Sequence, residues 1–302
     1  MKRPTERVMA KVNRALANKQ FSSLEEVNAF LQAAFGDQGG EELVDFPLSP
    51  LDAAQELIYD AWEEPARRKR IALAKKALKL SPDCADAYVI LAEDEAERLE
   101  EAERLYAEGV KAGERALGRE KFKSGKGHFW GLVETRPYMR ARSRLAMTLW
   151  DLGRRAEAID HMWAMLALDP EDHLGLRYLL ISWLLLEGRD QEIKKLARKF
   201  GVEPTATWLY PLALWTFRQE GASTRANRRL VQAFKANPYV AAFMLGAKKP
   251  PKRLPESYTL GSEAEAVEYL LDGGEAWVQT PGAGDWLVEQ LTALMAKDRE
   301  RK

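Results

Sequence analysis

Six side chains able to hold a ligand fall within 13 residues: His128, Trp130, Glu134, Arg136, Tyr138 and Arg140. An arginine fork grips a carboxylate or phosphate through two parallel hydrogen bonds. Indole and phenol rings give large, stiff contact surfaces that anchor a bound segment. The stretch is therefore a candidate pocket, with Trp130 and Tyr138 as anchors and Arg136 or Arg140 as the anion partner. The same residues have a plainer reading. Phe129 and Trp130 tuck beneath neighbouring helices, and Arg136 and Glu134 satisfy one another and some loop carbonyls, which is the commoner fate of buried polar groups.

Other chemistries find little footing. The three histidines are His128, His161 and His173, and no pair has the spacing of a helical metal site. The single cysteine, Cys84, cannot form an intramolecular disulfide and has no histidine near it in sequence. It reads as a small buried apolar residue at a helix start. Gly-x-Ser-x-Gly, P-loop and Gly-x-Gly-x-x-Gly motifs are all missing from the sequence. No catalytic residue, cofactor or metal is expected.

The bulk composition points the same way. The 302 residues carry 46 basic and 46 acidic side chains, so the net formal charge is zero. Such a balance does not suggest a nucleic-acid binder, and the basic run from Lys248 to Arg253 reads as a solvated linker. Base stacking would need exposed rings beside cations, whereas Trp163, Trp183, Trp208 and Trp215 sit at packing positions of helices. The start of the sequence, Met1 to Ala17, has no apolar leader core, and the greasiest stretch, Leu174 to Leu186, is interrupted by Arg177 and Ser182. A cytosolic location is the expectation.

What must position these residues is a helical repeat. Gly153, Gly188 and Gly221 each precede a buried-type helix position, Ala158, Ile193 and Ala226, by five residues, and the glycines are 35 and 33 apart. Ala158 to Ala226 and Pro170 to Pro238 both span 68, twice the 34-residue tetratricopeptide period. Tyr88, Leu91 and Ala92, then Ala102, Tyr106 and Gly109, match the large and small packing rows of such hairpins. The fold expected is all-α, a right-handed α-solenoid of about five tetratricopeptide-like hairpins. Residues 1–45 form a helical N-terminal cap. Residues 46–245 form the solenoid, with an insertion at about 118–137. Residues 246–302 form a linker and a C-terminal helical cap, interrupted at Gly273 and Gly274.

Several strings are not generic repeat positions: Gly127-His128-Phe129-Trp130-Gly131, Glu134-Thr135-Arg136-Pro137-Tyr138-Met139-Arg140-Ala141, Cys84-Ala85-Asp86-Ala87-Tyr88 and Gly113-Glu114-Arg115-Ala116-Leu117-Gly118. Together they resemble a widespread group of bacterial tetratricopeptide proteins of undefined biochemistry, often placed near the suppression-of-tumorigenicity-seven family. That resemblance implies an all-helical repeat fold and interaction roles. It brings no catalytic residues.

First helices of such hairpins line the concave surface. By register that surface receives Arg140, Arg144, Met147, Arg177, Tyr178, Tyr210 and Arg218. Four arginines with two tyrosines suit an acidic or C-terminal carboxylate segment of a protein partner. The same arginines could instead bridge acids of adjacent repeats, such as Glu171 and Asp172. The function expected is a non-catalytic protein–protein adaptor. The alternatives are a small-anion sensor or enzyme-like module using residues 127–140, and an RNA-binding helical repeat.

Overall fold

The computed structural model describes residues 3–35, 47–251, 253 and 257–300. Among them the regular elements are helices, without a strand. No described helix is long and apolar enough to cross a membrane. The chain forms two compact units, Met1–Leu174 and Gly175–Lys302.

The first unit opens with a pair of helices, α1 (Arg3–Ala17) and α2 (Leu24–Phe35), held by Ala15, Phe30 and Ala34. Three hairpins follow: α3 (Pro50–Glu63) with α4 (Arg67–Leu80), α5 (Ala85–Asp94) with α6 (Leu99–Ser124), and α7 (Arg136–Asp151) with α8 (Arg155–Leu168). Each helix packs on its hairpin mate, and α3, α5 and α7 also pack in series. Ser49 starts α3 with a reciprocal capping box to Asp52, and Pro50 occupies the first turn, where its missing N–H costs nothing. Cys84 is fully buried beside α3, and burial pushes its thiol up to about 12, so it is an inert packing residue as expected.

The boundaries of the expected insertion change. Its first seven residues, Gly118 to Ser124, continue α6 beyond a kink at Gly118, whose φ of 64° and ψ of 166° leave the helical region. The irregular part is the stretch 125–135, with two short 3-10 turns, Phe129–Gly131 and Val133–Thr135. Phe129 is buried against Phe122 and Tyr138, and the Gly127 N–H donates to Leu168 O at 2.9 Å. The loop is thus packed onto its own unit.

α6 comes close to α7 because glycine allows it. A Cβ on Gly113 would lie 2.8 Å from the Tyr138 Cβ and 3.1 Å from its Cα. Gly113→Ala is expected to cost about 1–3 kcal/mol by overpacking. Gly131→Ala, where nothing lies within 4 Å, should stay within about 0.5 kcal/mol. Urea unfolding of the two variants checks the contrast.

The second unit contains α9 (Leu176–Leu186), α10 (Asp190–Phe200), α11 (Ala206–Glu220), α12 (Thr224–Ala236), α13 (Pro238–Met244), α14 (Glu263–Val278) and α15 (Ala283–Glu300). The glycine beat is visible as turn geometry: Gly153, Gly188 and Gly221 have φ of 77°, 63° and 63°, where a side chain would strain the backbone. Ala158, Ile193 and Ala226 are fully buried behind them. Trp183 and Trp208 are buried, while Trp163 and Trp215 are half-buried.

One expected break is absent. α14 runs through Gly273 and Gly274. The Tyr269 ring folds back over Gly273, where an added Cβ would sit 2.4 Å from the ring. Its hydroxyl accepts from Trp277 Nε1 at 2.7 Å. The glycine is a packing recess one turn along the same helix rather than a stop.

Candidate functional site

Arg140 on α7 marks the centre of the first unit. Its guanidinium binds two carboxylates from opposite sides. Nε donates to Asp86 Oδ1 at 2.8 Å and Nη2 to Asp86 Oδ2 at 2.6 Å. Nη1 and Nη2 also donate to the two Glu6 oxygens at 2.9 and 2.8 Å. The Trp62 ring lies 4.9 Å from the guanidinium carbon. Burial alone would push the Arg140 pKa down, but Asp86 and Glu6 outweigh it and hold it above the ordinary value. Asp86, fully buried in the first turn of α5, takes a further bond from Gln55 Nε2 at 3.0 Å.

Glu6 belongs to α1, so this helix lies across α3, α5 and α7. Its other latches are basic. Arg7 donates to Glu56 at 2.7 Å and Asp60 at 2.9 Å, and Arg14 reaches Glu56 at 2.8 Å and Asp52 at 3.6 Å. Arg7 and Arg14 are seven residues apart, two turns along one helical face. Arg136 Nη1 stands 3.6 Å from Glu6 as well, so two arginines of α7 converge on one carboxylate.

Beside these ion pairs, α1 leaves a cavity of about 460 Å³ against the three hairpins and the 125–135 loop. Leu51, Tyr59, Ala116, Leu132, Val133, Pro137 and Tyr138 make its apolar walls. Asp52, Asp83 and Glu134 contribute carboxylates, and Arg14 contributes the one guanidinium of its lining. The volume is in the range of small-ligand and peptide-anchor pockets, roughly 300–1,000 Å³.

The anticipated pocket residues are divided. Glu134 and Tyr138 line the cavity, and Glu134 pairs with Lys121 at 2.9 Å rather than with Arg136. Arg136 is buried, donates to Trp130 O at 3.0 Å and faces the Trp130 ring. His128 is exposed, away from the cavity lining. Tyr138 is buried and holds its hydroxyl to Arg142, whose Nε donates to His161 Nδ1 at 3.1 Å. Burial and Arg142 together push the His161 pKa down. Among the described residues no group of three or more His, Cys, Asp and Glu could hold a metal ion.

The row of groove residues also separates. In the first unit Arg140 is held as described, and Arg144 is more exposed and pairs with Glu93 at 3.1 Å. In the second unit Arg177 binds Glu203 at 2.8 Å, stacks 4.3 Å from the Tyr178 ring, and shares Glu203 with the Tyr178 hydroxyl. Tyr210 cannot line a groove: it is fully buried, stacks on Tyr269 at 5.5 Å and donates its hydroxyl to Asn237 O at 2.8 Å. Arg218 donates to Leu185 O, Ala276 O and Thr280 Oγ1. These carbonyls close the ends of α9 and α14, where helix dipoles favour a cation, so Arg218 is a structural cap in place of a docking residue.

Sequence reading missed Glu6, Arg7, Arg14, Gln55, Glu56 and Asp86. Two signals were present. Asp86 is an acid inside the apolar run Cys84-Ala85-Asp86-Ala87-Tyr88, and Arg7 and Arg14 share a helix face.

Residues 45–172 match the ST7 protein family. The chain is 28% identical over 252 residues to a suppressor of tumorigenicity 7 protein-like from Bos taurus, covering 75% of this chain and 45% of the relative. The corresponding Homo sapiens protein is also 28% identical, with 43% of its length covered. Suppressor of tumorigenicity 7 protein from Macaca fascicularis is 26% identical over 283 residues, covering 78% of this chain and 52% of the relative. The chain is weakly related to these proteins and spans about half their length.

Proposed function

We propose that the chain is a non-catalytic interaction adaptor that holds a segment of a partner protein across the first helices of tetratricopeptide-like hairpins. In this reading α3, α5 and α7 form the inner wall of a right-handed solenoid. The observation that supports it is the seat of Glu6: a polypeptide segment already lies on that wall, with its carboxylate on the two arginines best suited to receive one. A partner acid replacing Glu6 would meet the same fork. The match to ST7 proteins over residues 45–172 covers the hairpins that build this wall.

A small anion is less well served. The cavity sets three carboxylates against one guanidinium. For RNA the zero net charge offers little general attraction.

Leu132→Glu tests the adaptor. It places a charge in the apolar wall of the cavity on a loop residue, without touching the Arg140 cluster. Recovery of partner proteins with the tagged full chain should fall at least about ten-fold, the equivalent of 1.4 kcal/mol. Unchanged recovery by a folded variant rejects the groove.

A further inference from the structure

The helix that occupies the groove does not fill it. α1 contributes Ala10, Asn13, Arg14, Leu16 and Ala17 to the cavity lining, and Ala10 is followed by Asn13, Arg14 and Ala17 at spacings of three, four and seven residues. That is the anchor pattern of a helix lying in an apolar groove. These four anchors are small or polar, and Leu16 is also engaged by the Ala15, Phe30 and Ala34 cluster, yet the opposing wall offers Leu51, Leu132, Val133 and Tyr138. α1 is held chiefly by charge, through Glu6, Arg7 and Arg14, while about 460 Å³ remains open beneath it. The Arg7 and Arg14 pairs are partly exposed and stabilise weakly, which leaves the buried Glu6–Arg140 pair as the stronger latch, and unfilled apolar walls forfeit dispersion contacts.

We propose that α1 is a built-in placeholder and that the groove's partner is an amphipathic helix with the same charge pattern and larger apolar anchors. That helix would carry an acid at the Glu6 position, arginines at the Arg7 and Arg14 positions, and leucine-sized side chains in place of Ala10, Asn13 and Ala17. Charge complementarity fixes its register: Glu56, Asp60 and Asp52 face the two arginines, and Arg140 faces the acid. The two helices cannot occupy the wall together, so binding requires α1 to leave. This inference deepens the adaptor reading, on which it rests for biological meaning.

The test uses the full chain and synthetic peptides of residues 3–19, followed by fluorescence anisotropy. One peptide has the natural sequence and the other carries Ala10→Leu, Asn13→Leu and Ala17→Leu. The receptors are the natural chain and the Arg7→Glu/Arg14→Glu variant, in which α1 is repelled by the carboxylates of α3. The leucine peptide should bind the unlatched variant at least ten-fold more tightly than it binds the natural chain, and at least ten-fold more tightly than the natural peptide binds that variant. Equal affinity of the two peptides overturns the anchor argument. Equal affinity of the two receptors overturns the placeholder.

A second measurement is independent of peptide binding and of unlatching. Full-length Ala10→Leu/Ala17→Leu should raise the thermal midpoint by filling the cavity, and a lowered midpoint overturns the inference. The adaptor reading fails separately. If the leucine helix binds as expected while Leu132→Glu leaves cellular partner recovery unchanged, the groove preference stands and the adaptor role falls.

Discussion

Arg140→Met should destabilise the first unit by about 3–5 kcal/mol, the loss expected when one member of a buried ion pair is removed. The guanidinium pairs with Asp86, which is fully buried, and it lies nearer to Glu6 than Arg136 does. Methionine keeps much of the side-chain volume, so the effect is electrostatic and not a cavity. Two carboxylates would be left facing one another in a site that water reaches poorly. Adding Glu6→Gln and Asp86→Asn to the Arg140→Met chain should recover a large part of the loss, because neutral amides need no counter-ion. Urea unfolding of the single and triple variants measures both terms. A loss under about 1 kcal/mol for the single variant would mean that the cluster is solvated and contributes no more than a surface pair.

The same cluster shows what local sequence can and cannot reveal. The hairpins were legible because burial imposes a period: Gly153, Gly188 and Gly221 recur at the turns, and Ala158, Ile193 and Ala226 recur behind them. Arg140 was identifiable as an arginine of a first helix. Its partners were not, since Glu6 and Asp86 lie 134 and 54 residues away in sequence and no periodicity connects them. Tyr210 and Arg218 were misplaced for a related reason. A first-helix position can face a later helix, and α14 covers this side of α11: Tyr210 stacks on Tyr269, and Arg218 caps the carbonyl of Ala276. The glycine pair in α14 misled because Gly273 serves Tyr269 one turn away, a role that local propensity cannot distinguish from a helix stop.

Glu265→Ala should be the most costly single change in the second unit, at about 3–5 kcal/mol. Glu265 is buried on α14, and its carboxylate ties three segments together. Oε1 accepts from the N–H of Ala206, the first residue of α11, at 2.8 Å. Oε2 accepts from Asn237 Nδ2 at 3.0 Å and from the Gly261 N–H at 2.6 Å. Asn237 itself joins α12 to α13, caps Tyr239 through its Oδ1, and receives the Tyr210 hydroxyl on its carbonyl. The negative charge also sits at the positive end of the α11 dipole. Alanine would strand donors on all three segments, each costing about 1–3 kcal/mol when it stays buried. Glu265→Gln should recover little. Both oxygens are acceptors here, so either orientation of the amide turns an N–H₂ toward a donor, and about 2 kcal/mol or more should still be lost. Glu263→Gln, two residues earlier, is the control. Its pairing with Lys248 is largely exposed and should be worth less than about 1 kcal/mol. Urea titration of the three variants separates these cases. Glu265→Gln as stable as the natural chain would overturn this account of the carboxylate as the tie between the three segments.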